Sequence, residues 1–156
     1  MIKFGQINGA SQAENYALQM GLEFANKVLM SPQFEAFMLA RKLVQMNELD
    51  NAGVLAMIRT DVTLDIEIYS PWWPWSSQDA CTTYPSYPGG TPLVSINRRL
   101  INTPFDLGDT ILHESTHANG FDHDYRATQR RPYSVPYSAN AGYELVAQAL
   151  GILMTS

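Results

Sequence analysis

The chain contains three histidines, and all of them lie in one segment, His113-Glu114-Ser115-Thr116-His117-Ala118-Asn119-Gly120-Phe121-Asp122-His123. This spacing constrains the local fold. An α-helix turns once every 3.6 residues, so His113 and His117 stack on one face and their imidazoles can reach a common point. A straight helix would carry His123 to a different face. Gly120 supplies the exit, because glycine enters the left-handed region at little steric cost and often ends a helix there. The chain is therefore expected to turn sharply and bring His123 back toward the other two rings.

That arrangement points to metal chemistry. Three neutral imidazole nitrogens suit Zn2+ and leave the fourth position for water, the pattern of a catalytic rather than a closed structural site. His113, His117 and His123 are thus the expected metal ligands. Glu114 sits at the edge of the same helix face, too displaced to be the natural third ligand. It is well placed to take a proton from water on the metal, which makes it the candidate general base. A bare HExxH arises by chance in many chains. The added glycine and third histidine, with no histidine elsewhere, weigh against chance here. A structural zinc site needs a fourth Cys or His, and the lone Cys81 has no partner residues near it in sequence.

With Asp124 behind it, the segment reads HExxHxxGxxHD, and it resembles the active-site signature of the metzincin metallopeptidases. The resemblance implies His113, His117 and His123 as zinc ligands, Glu114 as general base and Gly120 at the turn. It also implies that Asp124 is a buried structural acid and not a ligand. Metzincins carry a Met-turn below the metal, whereas residues 124–137 contain no methionine. Ser134-Val135-Pro136-Tyr137 looks like that turn with proline or valine as its apolar floor. This implies a small, divergent bacterial branch. Tyr137 falls where some members keep a tyrosine that binds zinc or steadies the oxyanion. Packing is the alternative role for Tyr137, and Tyr133 is the second choice.

With 156 residues, the chain is long enough to bury a core, and residues 1–156 are expected to form one catalytic domain. Charged residues make up 16% of it, below the roughly 25% of an average domain. A net charge of −5 argues against a nucleic-acid partner. No apolar run is long enough to span a membrane. A single cysteine excludes an internal disulfide. The N-terminus lacks a basic region followed by an apolar run, so it does not read as a signal peptide. Resemblance to bacterial metzincin-like proteins nevertheless implies export with the leader absent from this chain, cytoplasmic placement being the other option.

Helical spacing of Ala17, Leu18, Gly21, Leu22, Ala25, Val28 and Leu29 predicts a helix from about Ser11 to Met30. Pro32 suits the first turn of a second helix running to about Asn47, with Phe34, Phe37, Met38 and Val44 inward. Strict alternation over Asp61–Tyr69 predicts a half-buried strand with a solvated acidic face. Ser70–Pro92 holds all three tryptophans, and its prolines and glycines rule out a long helix or strand. It is read either as an aromatic wall beside the metal or as a loop anchored in the core.

Leu93–Asn97 is β-prone. By the resemblance it is the edge strand lining the cleft, to which a substrate can pair. Thr103-Pro104-Phe105-Asp106 is a strong helix start, and the active-site helix is expected from about Pro104 to Asn119. A last helix is expected over about Ala139–Leu153, with Leu145, Val146, Ala149, Leu150 and Leu153 inward.

These elements predict an α+β, zincin-like domain, in which a small, twisted, mixed sheet packs on backing helices. The expected function is Zn2+-dependent hydrolysis of peptide bonds by a monomer acting on a peptide or protein. A hydrolase of another amide, such as a cell-wall peptide, shares the same metal site. A catalytically silent, metal-bound interaction module is the third reading, and Glu114 counts against it.

Overall fold

The computed structural model describes residues 1–41, 43, 49–70, 80–84, 89–101, 103–123 and 134–152. Readings that rest on Val44, the three tryptophans, Asp124, Tyr133 and Leu153 lie outside these residues. The described elements are β1 (Ile2–Asn8), α1 (Gln12–Leu29), α2 (Pro32–Ala40), α3 (Asn51–Ile58), β2 (Val62–Tyr69), β3 (Ala80–Thr83), β4 (Leu93–Asn97), a short 3-10 turn (Arg98–Leu100), α4 (Pro104–Ala118) and α5 (Val135–Ala149). The class is α+β. Among the described residues the sheet has four strands in the order β1-β2-β4-β3, with β1-β2 and β2-β4 parallel and β4-β3 antiparallel. No helix among the described residues is long and apolar enough to cross a membrane.

Local signals set several element ends. Ser11 caps α1 in a capping box, its side chain accepting from Glu14 N while Glu14 Oε2 accepts from Ser11 N at 2.7 Å. Ser31 caps α2, with Pro32 in the first turn. That helix stops at Ala40 instead of running to Asn47, and Arg41 is already extended. The Asn51 side chain explains the stop. Its Nδ2 donates to the carbonyls of Met38, Leu39 and Arg41, which a further helical turn would otherwise engage.

β2 buries Leu64, Ile66 and Ile68, and β4 buries Val94 and Ile96. Each such side chain contributes about 1.5–3 kcal/mol when removed from water. The acids of β2 lie on the opposite face. Asp65 is not merely solvated there, because its carboxylate accepts from Gln6 N at 2.7 Å, where β1 shifts register between Phe4 and Ile7. β4 is an interior strand, not the edge inferred from the resemblance. The edge on that side is β3, which lies within the tryptophan-rich stretch of sequence and pairs antiparallel to β4. Strand order depends on distant pairing, so a local β signal cannot reveal it.

α4 packs on α1 and α5 and runs beside β3. Phe105, Leu107, Ile111 and Leu112 form its buried side. The α1–α4 contact is close because both helices present glycine. A Cβ at Gly108 would stand 2.8 Å from Tyr143 Cζ and 3.1 Å from the Gly21 carbonyl oxygen. Gly108→Ala is therefore expected to lower stability by about 1–3 kcal/mol or more through overpacking. Denaturant unfolding checks this, and an unchanged midpoint would show that the helices can move apart at no cost.

α5 begins at Val135, ahead of the expected Ala139, and its buried stripe is Val135, Ala139, Gly142, Tyr143, Val146 and Ala147. Leu145 is 60% exposed and Ala149 is also exposed, against expectation. Val146 is buried and Leu150 packs against the core as expected, but most of the stripe is small residues and one tyrosine, which hydrophobicity alone does not single out.

Candidate metal centre

Thr103 opens α4, its Oγ1 accepting from Asp106 N at 3.1 Å, with Pro104 in the first turn. The helix then holds His113 and His117 one turn apart, as their spacing requires, with ring centroids 5.0 Å apart. Its end is a Schellman turn. Gly120 takes φ +91°, its N–H donates to the His117 carbonyl at 2.7 Å, and Phe121 N–H donates to the Thr116 carbonyl at 3.1 Å. Phe121 is buried behind the turn. This reversal brings the His123 ring to 4.6 Å from that of His117 and 5.0 Å from that of His113.

One nitrogen from each ring falls within 4.8 Å of the others. His117 Nε2 and His123 Nε2 are 3.2 Å apart. Two nitrogens bound to one tetrahedral ion at about 2.0–2.1 Å are roughly 3.3 Å from each other. The observed spacing therefore fits a shared ion. The other ring nitrogens also fit. His117 Nδ1 donates to the Phe121 carbonyl at 2.6 Å, and His113 Nδ1 meets Asn140 Oδ1 in a short hydrogen bond. Each contact puts the proton on Nδ1 and leaves Nε2 with its lone pair free for a cation. Asp122 stands 3.9 Å from His117 Nδ1, too far to displace the carbonyl as acceptor. Burial lowers the pKa of His113, with the nearby Asn140 and Glu114 opposing that shift, and so favours the neutral ring that a metal needs.

Glu114 is 4% exposed, yet its side chain borders the cavity that the histidines line. Thr82 on β3 donates to Glu114 Oε2 at 2.6 Å. The edge strand thus holds one carboxylate oxygen and leaves Oε1 for other partners. Tyr84, just past β3, donates to the His117 carbonyl in a short hydrogen bond.

Ser134-Val135-Pro136-Tyr137 does not form a separate turn below the site. Ser134 takes the N-cap position of α5 and Val135–Tyr137 form its first turn, with Val135 and Pro136 buried. The helix still delivers Tyr137, whose ring stacks on His123 at 4.4 Å. Sequence reasoning missed Thr82 and Asn140. Asn140 lies one turn beyond Tyr137, so an earlier start for α5 would have exposed it. Cys81 is half-buried at the cavity wall. Burial first, and the Glu114 carboxylate second, push its thiol up, which keeps it protonated and disfavours thiolate ligation.

The cavity holds about 700 Å³. Asp109, Glu114, Asp122 and Glu144 line it, and no Lys or Arg does so among the described residues. No family model matches the chain, and the comparisons with curated proteins and with solved structures also give no match.

Proposed function

We propose that this chain is a Zn2+-dependent metallopeptidase of zincin architecture. One observation carries the reading: three imidazoles converge at a spacing suited to one ion, and the nearly buried Glu114 carboxylate opens onto the same cavity. His113, His117 and His123 would hold the ion through Nε2. When bound, the ion supplies Lewis acidity, bringing the pKa of a coordinated water toward about 7 and polarising a carbonyl.

The protein's own groups do the rest. Glu114 accepts the proton of the attacking water at Oε1, the oxygen that Thr82 leaves open, and passes it to the leaving amine. Thr82 fixes the carboxylate's rotamer, so the base needs little reorganisation. Tyr137 offers a phenol at the cavity wall for the developing oxyanion. Among the described residues β3 is the terminal strand beside α4, and an extended peptide can add to it as a further strand. The acidic lining disfavours acidic peptides through like-charge repulsion.

The test is a random peptide library, run beside cell-wall peptide fragments, with the zinc-loaded chain before and after chelation. Cleavage of the library that stops on chelation and returns with zinc is the expected result, with few Asp or Glu beside the cut bonds. Cleavage of cell-wall fragments alone would move the assignment to that amide class. No cleavage of either, with zinc bound, would overturn the hydrolase reading.

A further inference from the structure

We infer that Asn140 is a positioning residue for the metal centre, the middle of a hydrogen-bonded chain that runs from His113 to the carboxyl of Asp109. The inference rests on the metal-site part of the reading above and is independent of peptide hydrolysis. Asp109 and His113 lie one turn apart on α4, and Asn140 reaches across from the facing helix α5. Its Oδ1 meets His113 Nδ1 in a hydrogen bond, and its side chain lies against the Asp109 carboxyl, whose charged form it favours. A primary amide suits this place because one end accepts and the other donates. With the His113 N–H donating to Oδ1, the Nδ2–H is the group of the amide that can donate to the carboxyl.

The consequence is a fixed tautomer. With its proton held on Nδ1, His113 can present only Nε2 to the point where His117 Nε2 and His123 Nε2 already converge. His117 reaches the same state through a backbone carbonyl, which no side-chain substitution removes. His113 depends on a side chain. Asp109 has reason to engage Asn140 in turn, since its Oδ1 is shut away from solvent without a hydrogen-bond partner among the described residues and the nearby amide favours its charged form. Asn140 and Asp109 both face the cavity, so the chain runs along its wall and is not sealed in the core.

Zinc affinity of the full chain, measured by competition with a chromophoric chelator, tests the inference without reference to activity. Asn140→Ala is expected to weaken zinc binding about 10–100-fold, the usual effect of removing a partner that orients a ligating histidine. Asp109→Asn should weaken it less, because an amide oxygen still accepts from Asn140. The paired exchange Asp109→Asn with Asn140→Asp rebuilds the chain, since the new carboxylate accepts from both neighbours. It should return affinity to within a few-fold of the parent.

Unchanged affinity in Asn140→Ala, or an exchange variant no better than Asn140→Ala, would overturn the assignment. Nitrogen-15 NMR of the imidazoles in the unsubstituted protein gives a second reading that needs no variant to fold. A His113 proton on Nδ1 supports the chain, and a proton on Nε2 defeats it. A zinc-loaded protein that cleaves no peptide would defeat the peptidase reading and leave these affinities as they are.

Discussion

Glu114→Gln is expected to keep its zinc and lose about 10²–10⁴ in kcat, the range that a positioned general base contributes. The substitution preserves shape. A glutamine oxygen can still accept from Thr82 Oγ1, which now bonds Glu114 Oε2 at 2.6 Å. It cannot take up the water's proton. His113 and His117 do not rely on the carboxylate for their orientation, because they are held by Asn140 and by the Phe121 carbonyl. KM should therefore change little while kcat falls. Steady-state kinetics on a cleaved library peptide, paired with metal analysis, reads both quantities. Turnover equal to the parent's would remove Glu114 from the mechanism. The same assay separates the two roles of Tyr137. Tyr137→Phe keeps the ring stacked on His123 and removes the hydroxyl, so a fall of about 10²-fold in kcat assigns the phenol to the oxyanion. An unchanged kcat leaves it a packing residue.

His123→Ala is the second large effect. It removes one of three nitrogens, and the expected loss of zinc affinity exceeds about 100-fold, the upper end for losing only an orienting partner. The helix should not suffer. His123 lies beyond the Schellman turn, whose two hydrogen bonds are made by Gly120 and Phe121 backbone. Circular dichroism of the metal-free protein should match the parent, which separates loss of a ligand from loss of fold. Equal zinc affinity in the variant would take His123 out of the ligand set.

Much of this arrangement was legible because it is written locally. α1, β2 and α4 follow from caps and periodicity confined to a few residues, as at Ser11, over Val62–Tyr69 and at Thr103. The convergence of the histidines was legible for the same reason, since a helix, a glycine and a turn are all encoded within His113–Phe121. Other features depend on partners far along the chain. β1 hides its alternation behind a register shift beside Gly5, where Asp65 of the neighbouring strand takes up a backbone N–H. The end of α2 is set by Asn51, and α3 follows an Asp50 cap that drew no reading. β4 was readable as a strand but not as an interior one. Thr82 and Asn140 carry no motif; each matters only because folding lays it against Glu114 or His113.

On this reading, three imidazoles grip one divalent cation and leave a position open. Anomalous diffraction at the zinc edge, from crystals of the zinc-saturated protein, tests it most directly. If the three rings share the ion, one strong peak lies about 2.0–2.1 Å from Nε2 of His113, His117 and His123, with no fourth protein ligand. Rings that bracket no peak, or a peak closed off by a fourth side chain, would contradict it.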